Sequence, residues 1–149
     1  MVDRSLFRTK APDVMHRLIG DFDLNEIQAA GIVGNLGHEC AGFHTLHEIG
    51  QPEGKGGYGW AQWTGDRRKS FLAWCDKRKL GWETDAANYG YLSSELHGTY
   101  ARSISALEKA YTLEASVVAF ERSYEGAGVP NYPSRNEWAS IALDSFRTR

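Results

Sequence analysis

A glycine-rich apolar segment that ends near residue 39 constrains the fold more than any other part of this 149-residue chain. Its apolar residues recur at the spacing of one helix face, at Ala29, Ile32, Val33 and Leu36. Gly31, Gly34 and Gly37 lie in the same segment, and each lowers the intrinsic stability of a helix by about 1 kcal/mol. We therefore expect tertiary packing to hold this helix, with a neighbouring element approaching closely at its glycines.

Helical patterns also cover most of the remaining sequence. We predict a first helix from Pro12 to Ile19, ended by Gly20, and a second that begins at the capping box Asp23-Leu24-Asn25-Glu26. Further helices are predicted over Asp66–Lys79, Arg102–Lys109 and Leu113–Tyr124. Start signals at Thr84 or Asp85, and at Ser134 with Glu137, predict two more. The stretch from Phe43 to Thr64 differs, because it is rich in glycine and alternates polar with apolar residues. That pattern predicts a two- or three-stranded β-hairpin with Gly54 to Gly57 in its turn. The predicted fold is α+β, mostly α, in one domain over residues 1–149.

The composition narrows the range of functions. A formal net charge of −2 argues against a protein held on nucleic acid by charge alone. No apolar run approaches the ~20 residues that span a bilayer, so we expect no membrane insertion. The stretch from Met1 to Lys10 lacks the apolar region of a secretory signal. We expect Cys40 and Cys75 to be small buried thiols and the protein to be a monomer.

Glu39 is the first candidate for chemistry. It follows Leu36 by three residues and so continues one side of the apolar stripe. A carboxyl group against apolar neighbours keeps its proton to higher pH, as a general acid near neutral pH must. The alternative is a surface glutamate in the last turn of the helix, where its charge would oppose the helix dipole.

A glycosidase normally uses two carboxyl groups, and two candidates for the second follow Glu39. Glu48 and Glu53 both fall in the predicted hairpin. We favour Glu48, because a strand would hold it rigidly, whereas Glu53 lies at the turn beside Pro52 and Gly54.

The aromatic run from Gly57 to Thr64 suggests a binding surface for a sugar. Sugar C–H groups stack on aromatic rings, and a glutamine side chain can both donate to and accept from hydroxyl groups. The predicted substrate-binding residues are Tyr58, Trp60, Gln62 and Thr64. In the alternative interpretation one face of this strand belongs to the core, and at least one of Trp60 and Trp63 is buried.

A crowd of metal-ligand residue types supports a rival hypothesis. His38, Cys40, His44 and His47 fall within ten residues, and zinc binds such side chains. The H-E-x-x-H pattern is absent, however, because neither His38-Glu39 nor His47-Glu48 is followed by a histidine at the required position. A zinc peptidase or amidase therefore remains an alternative, and we predict no metal and no cofactor.

Three segments carry a resemblance to a known family. The segment from Gly34 to Phe43 resembles the G-N…E-S-x-G-F segment of lysozyme-superfamily cell-wall hydrolases, in particular the phage tail lysozyme-like muramidases. The run from Gly57 to Gly65 resembles their second signature, and Phe120 to Glu125 resembles a late F-E-x-x-Y-E helix.

This resemblance implies a lysozyme-like fold, in which a helical domain and a small β-hairpin flank the active-site cleft. It implies that the protein acts on peptidoglycan glycan strands, cutting between N-acetylmuramic acid and N-acetylglucosamine. By position, Glu39 matches the catalytic acid, Glu48 the second carboxylate and Gln62 a residue of the substrate cleft.

The sequence departs from the family pattern at two places. Cys40 replaces the usual serine, and Glu53 and Gly54 stand where some phage lysozymes have a threonine. The predicted function is a muramidase that uses general acid catalysis. A lytic transglycosylase, which needs one acid, is the nearest alternative, followed by a wall-binding module without catalysis. We expect a phage or prophage endolysin that waits in the host cytoplasm until it reaches the wall, or a virion component.

Overall fold

The computed structural model describes residues 3–149, and this part of the chain is mostly helical, as predicted. Met1 and Val2, the first residues of the predicted domain, lie outside the described residues. The helices are α1 (Ser5–Phe22), α2 (Glu26–Glu39), α3 (Gly65–Arg78), α4 (Asp85–His97), α5 (Ala101–Glu108), α6 (Leu113–Phe120), which continues into a π-helical turn (Glu121–Glu125), and α7 (Tyr132–Arg147).

The glycine-rich helix α2 lies at the centre of the fold, in contact with α1, α6 and α7. The three glycines face these neighbours directly. A Cβ added at Gly34 would lie 2.4 Å from the Cβ of Ala139 on α7, and one at Gly31 would lie 2.6 Å from the Cβ of Ser116 on α6. The predicted close approach is therefore confirmed, and any larger side chain at these positions would push the helices apart.

The predicted starts of two helices are wrong, by two residues at α2 and by three residues at α7. The capping box of α2 uses Asn25, whose side chain accepts the Gln28 N–H at 2.8 Å while the Gln28 side chain accepts the Asn25 N–H. Asp23 has the left-handed conformation that ends α1. At the last helix the cap is Asn131, whose side chain accepts the Ser134 N–H.

Helix α1 is longer than the predicted stretch from Pro12 to Ile19. Phe7 and Ala11, before the predicted start, are fully buried, and Phe22, after the predicted end, is partly buried against the core, so core packing extends the helix in both directions. Pro12 lies inside the helix, and Gly20 does not end it. Tertiary packing here outweighs local propensity, since a proline in a helix interior removes one backbone hydrogen bond.

The predicted β-hairpin is not confirmed, because residues 3–149 contain two isolated antiparallel bridges and no strand. Tyr58 takes part in both bridges, one with His47 and one with Trp63. Positive φ angles at Gly59 (81°) and Gln62 (53°) turn the backbone out of an extended conformation between them. The segment is a folded loop, and its aromatic side chains enter the core beside α3 and α4.

Candidate active-site cleft

An open cleft of about 290 Å³ lies at the C-terminal end of α2. Glu39 is on one wall, residues 61–64 of the folded loop and Arg67 of α3 form the second, and residues 125–128 close the third. Elements that are distant in the sequence therefore meet around Glu39.

Glu39 is the last residue of α2 and has 19% of its side chain exposed. Its Oε2 accepts a hydrogen bond of 2.7 Å from Nη2 of Arg135 on α7. Burial raises the pKa of the Glu39 carboxyl, the Arg135 guanidinium opposes that rise, and the charge of Glu121 adds to it. The net effect of these groups is a raised pKa, so the Glu39 carboxyl keeps its proton to higher pH than usual while it still reaches the cleft.

Arg135 fixes the orientation of Glu39 from behind. Only 1% of its side chain is exposed. Besides Glu39, the guanidinium donates to Asn35 Oδ1 at 3.0 Å and to the carbonyl oxygen of Pro130. Because a planar guanidinium with three fixed acceptors has little freedom to rotate, the carboxylate it holds is fixed as well.

A second carboxyl group, Glu125, lines the same cleft from the π-helical turn. Its Oε1 is closed off from solvent and has no hydrogen-bond partner among residues 3–149. Burial raises the pKa of Glu125 well above its usual range, and the charge of Glu39 raises it further. A buried carboxyl group without a bonded cation is more stable in its protonated form.

A buried network supports the wall that carries Arg67. Arg67 donates to both carboxylate oxygens of Glu95, with Nε to Oε2 at 3.1 Å and Nη2 to Oε1 at 2.9 Å. The indole N–H of Trp63 and the hydroxyl of Tyr124 also donate to Glu95 Oε1. Since α3, α4 and the π-helical turn all contribute to this network, the cleft wall is rigidly connected to the core.

Two predicted substrate-binding residues lie in the cleft and two do not. Gln62 and Thr64 line it, and the Gln62 side chain donates to the carbonyl oxygen of Gly59 at 3.0 Å. Tyr58 and Trp60 are 4% and 2% exposed and lie outside this cleft, within the core. In this loop the aromatic rings build the scaffold, and the polar side chains face the cleft.

The structure does not bring Glu48 to Glu39. Glu48 is exposed, its Oε1 accepts the Gly57 N–H at 3.1 Å, and it does not line the cleft. Glu53 is also exposed, in the turn beside Pro52. Neither residue of the predicted hairpin supplies a second carboxyl group at this site.

Sequence reasoning missed Arg135 and Glu125 as residues of the site. Glu125 closes the F-E-x-x-Y-E segment, so its presence was visible but its position beside Glu39 was not. Arg135 is one of several arginines on the last third of the chain, and nothing in its local pattern distinguishes it.

The crowded histidines do not form a metal site in the described part of the chain. Within residues 3–149, no group of three or more histidine, cysteine, aspartate or glutamate side chains is arranged to hold a metal ion. His38 Nδ1 lies 2.7 Å from the hydroxyl oxygen of Ser134. Over the same residues, no helix combines the length and apolarity needed to cross a bilayer.

The fold and the cleft together define a class of protein: a helical domain with a partly buried acid at an open groove, as enzymes that cut glycosidic bonds require. Residues 9–146 match the family described as phage tail lysozyme, and the chain belongs to that family. It is thus a lysozyme-like cell-wall hydrolase that degrades peptidoglycan. A comparison with curated proteins finds no match.

Proposed function

We propose that the protein is a muramidase, which cleaves the β-1,4 bond between N-acetylmuramic acid and N-acetylglucosamine with Glu39 as the general acid. The observation that carries the proposal is the environment of Glu39. It lines an open cleft, is mostly shielded from solvent, and has a pKa raised by burial.

The chemistry follows from that environment. Protonated Glu39 donates its proton to the glycosidic oxygen as the bond breaks through an oxocarbenium-like state. The resulting carboxylate is stabilised at once by the hydrogen bond from Arg135 Nη2, which is already in place at 2.7 Å. Water then adds to the anomeric carbon and gives up a proton, which completes the hydrolysis and leaves a reducing end. Gln62 and Thr64 line the opposite wall, and we propose that their side chains bind sugar hydroxyl groups.

Digestion of purified peptidoglycan tests this assignment directly. Glu39→Gln keeps the size of the side chain but removes the proton donor, so the rate of turbidity loss should fall by about 10²–10⁴-fold. Glu114→Gln, a change of the same charge at an exposed position on α6, is the matched control. Wild-type rates in Glu39→Gln would contradict the role of Glu39, and release of peptides instead of sugars would contradict the muramidase.

A lytic transglycosylase is the second candidate, and one observation favours it. Glu48, the predicted second carboxylate, is exposed and outside the cleft of Glu39, and a transglycosylase does not need a carboxylate to activate water. Mass spectrometry of the products separates the two reactions, because hydrolysis gives a reducing end and the transglycosylase gives a 1,6-anhydro sugar. Loss of activity in Glu48→Gln, with products ending in a reducing sugar, would restore Glu48 to the mechanism.

For its biological setting we propose an endolysin of a phage or prophage, with a virion-associated enzyme as the alternative. Mass spectrometry of purified virions distinguishes these roles, since a virion component copurifies with the particle and an endolysin stays in the lysate.

A further inference from the structure

We propose that Glu125 is a substrate-binding residue of the cleft: as a neutral carboxylic acid, it donates a hydrogen bond from Oε2 to an amide carbonyl oxygen of the bound substrate. The proposal deepens the proposed function and rests on it, because it assigns a contact for the same substrate in the same cleft. It concerns a carboxyl group that the mechanism based on Glu39 does not use.

The position of Glu125 provides the first support. Its side chain lines the cleft from the π-helical turn, on the wall formed by residues 125–128, whereas Glu39 and Gln62 line the other two walls. Oε1 of Glu125 is closed off from solvent, and Oε2 is not. Since the side chain lines this cleft, Oε2 is the oxygen that a bound substrate can reach. A π-helical turn, which carries Glu125 here, is rare in helices and frequent at functional sites.

No cation is left to pair with Glu125 in the described part of the chain. The two guanidinium groups nearby bind other carboxylates, Arg67 that of Glu95 and Arg135 that of Glu39. Oε1 of Glu125 has no hydrogen-bond partner among residues 3–149. A carboxylate in such surroundings would be desolvated without compensation, so Glu125 is more stable as a neutral acid.

The charges around Glu125 agree with a neutral acid. The titratable groups that act on it from the surrounding elements are Glu39, Cys40, Arg67, Glu95, Tyr124 and Arg135. Burial is the largest cause of the raised pKa of Glu125, and the two other carboxylates raise it while the two guanidinium groups lower it. The thiol and the phenol stay neutral near pH 7, because burial raises the pKa of Cys40 to about 12 and that of Tyr124 well above its usual value.

The proton of this acid is more stable on Oε2 than on Oε1. A hydroxyl group at Oε1 would be a buried donor without an acceptor, whereas a hydroxyl group at Oε2 is available to a ligand in the cleft. Such a donor matches an uncharged carbonyl oxygen. Peptidoglycan offers amide carbonyl oxygens in two places, on the acetamido groups of its sugars and in its stem peptides.

Binding measurements in a Glu39→Gln background test the contact, because the glycan should stay intact there. Calorimetry uses two ligands: chitohexaose, which has acetamido groups and no peptide, and soluble glycan strands that keep their stem peptides. Glu125→Met removes the donor at similar length, so the affinity should fall roughly 3–10-fold. Glu125→Gln keeps a neutral donor and should keep most of the affinity. Glu114→Gln, at an exposed position on α6, is the control.

The two ligands identify the source of the carbonyl oxygen. A loss of affinity in Glu125→Met with chitohexaose as well as with the peptide-bearing strands assigns the contact to an acetamido group. A loss confined to the peptide-bearing strands assigns it to the stem peptide.

The pH dependence of binding separates a donor from a purely structural side chain. An ionised carboxylate can only accept hydrogen bonds, so the affinity in the Glu39→Gln background should fall as the pH rises through the raised pKa of Glu125. The same fall should be absent once Glu125→Gln is added. The background removes the charge of residue 39, but burial, the larger cause of the raised pKa, remains.

The outcomes separate this proposal from the proposed function. Equal affinities of the background protein and folded Glu125→Met for both ligands would overturn the contact, and so would a loss in Glu125→Gln as large as in Glu125→Met. If Glu125→Met does not fold, an equal fall of affinity with pH in the presence and absence of Glu125→Gln contradicts the donor. Binding as expected, in a wild type that releases no sugar ends, would leave the contact intact and overturn the muramidase.

Discussion

At the scale of single residues, the ion pair between Glu39 and Arg135 joins two groups of very different exposure. The Glu39 carboxyl is 19% exposed, whereas the Arg135 side chain is 1% exposed. Arg135 therefore functions as a fixed internal cation, and Glu39 is the end of the pair that reaches the cleft. Burying such an ion pair costs desolvation free energy, so the pair as a whole adds little to stability. Removing one partner destabilises the protein far more, because the other charge stays buried without compensation.

We therefore expect Arg135→Met to destabilise the protein by about 3–5 kcal/mol at pH 7, because an uncompensated carboxylate stays behind. The guanidinium holds down the pKa of Glu39, so in the variant that pKa rises further above its ordinary value of 4.5. When a carboxyl group has a higher pKa in the folded than in the unfolded state, the folded protein loses stability as the pH rises from the unfolded-state pKa to the folded-state pKa. The free energy of unfolding lost in Arg135→Met should accordingly be smaller at pH 4 than at pH 7.

Urea unfolding at both pH values measures this difference. Arg8→Met is the matched control, since its ion pair with Asp144 is about half exposed on both sides, and such pairs contribute about 0–1 kcal/mol. A loss in Arg135→Met no greater than in the control would show that the buried guanidinium does not stabilise the site.

The same pair shows how far the site could be predicted. Glu39 was predictable, because it continues the apolar stripe of its own helix. Arg135 was not, since its role depends on the packing of α7 against α2, which brings together residues 96 positions apart. Trp60 illustrates the opposite error: an aromatic residue in a glycine-rich run fits both a sugar platform and a core, and only its 2% exposure distinguishes them.

At the scale of helices and loops, the glycines of α2 set the distance between α2 and α7. A methyl group at Gly34 would lie 2.6 Å from the backbone nitrogen of Ala139, so it could not be accommodated by a side-chain rotation. We expect Gly34→Ala to destabilise the protein by about 1–3 kcal/mol, because an overpacked interface must move backbone.

Gly20→Ala is the control for this prediction. Gly20 lies inside α1, is exposed, and has no heavy atom within 4 Å of an added Cβ. Alanine should therefore stabilise the helix there by about 0.5–1 kcal/mol. Thermal unfolding measures the melting temperatures of both variants. Similar values would mean that α2 and α7 can move apart without loss of stability.

The helices were easier to predict than their ends, and easier than the folded loop before α3. The stripe of α2 comes from its own residues, but the choice of Asn25 over Asp23 as the cap depends on where α1 ends. The loop before α3 has the alternation of a hairpin, but Tyr58 and Trp63 are drawn into the core, and positive φ at Gln62 lets the chain follow them. For the helices, local pattern gives the type of the element and packing decides its boundary, whereas for this loop packing decides the type as well.

At the scale of the whole molecule, the described helices form one connected core. Helix α2 contacts α1, α6 and α7, and the Arg67–Glu95 pair joins α3 to α4. The predicted single domain over residues 1–149 has an experimental consequence: no helix should open far without the others.

The two cysteines can report on this cooperativity from opposite parts of the core. Cys40 is the C-cap of α2 and Cys75 lies in α3, with exposures of 0% and 1%. Burial raises the pKa of both thiols, that of Cys40 to about 12, so neither should react with an alkylating reagent in the folded protein.

We expect both thiols to be labelled only through global unfolding, with opening free energies that agree within about 1 kcal/mol of each other and of the value from urea unfolding. Mass spectrometry of peptides from partly labelled wild-type protein gives the two rates, and fully unfolded protein gives the intrinsic reactivities as the control. Faster labelling of Cys75 alone would mean that α3 opens while α2 stays folded. The cleft wall that carries Arg67 would then be a mobile part of the enzyme, and Glu39 and Arg135 would lie on its fixed part.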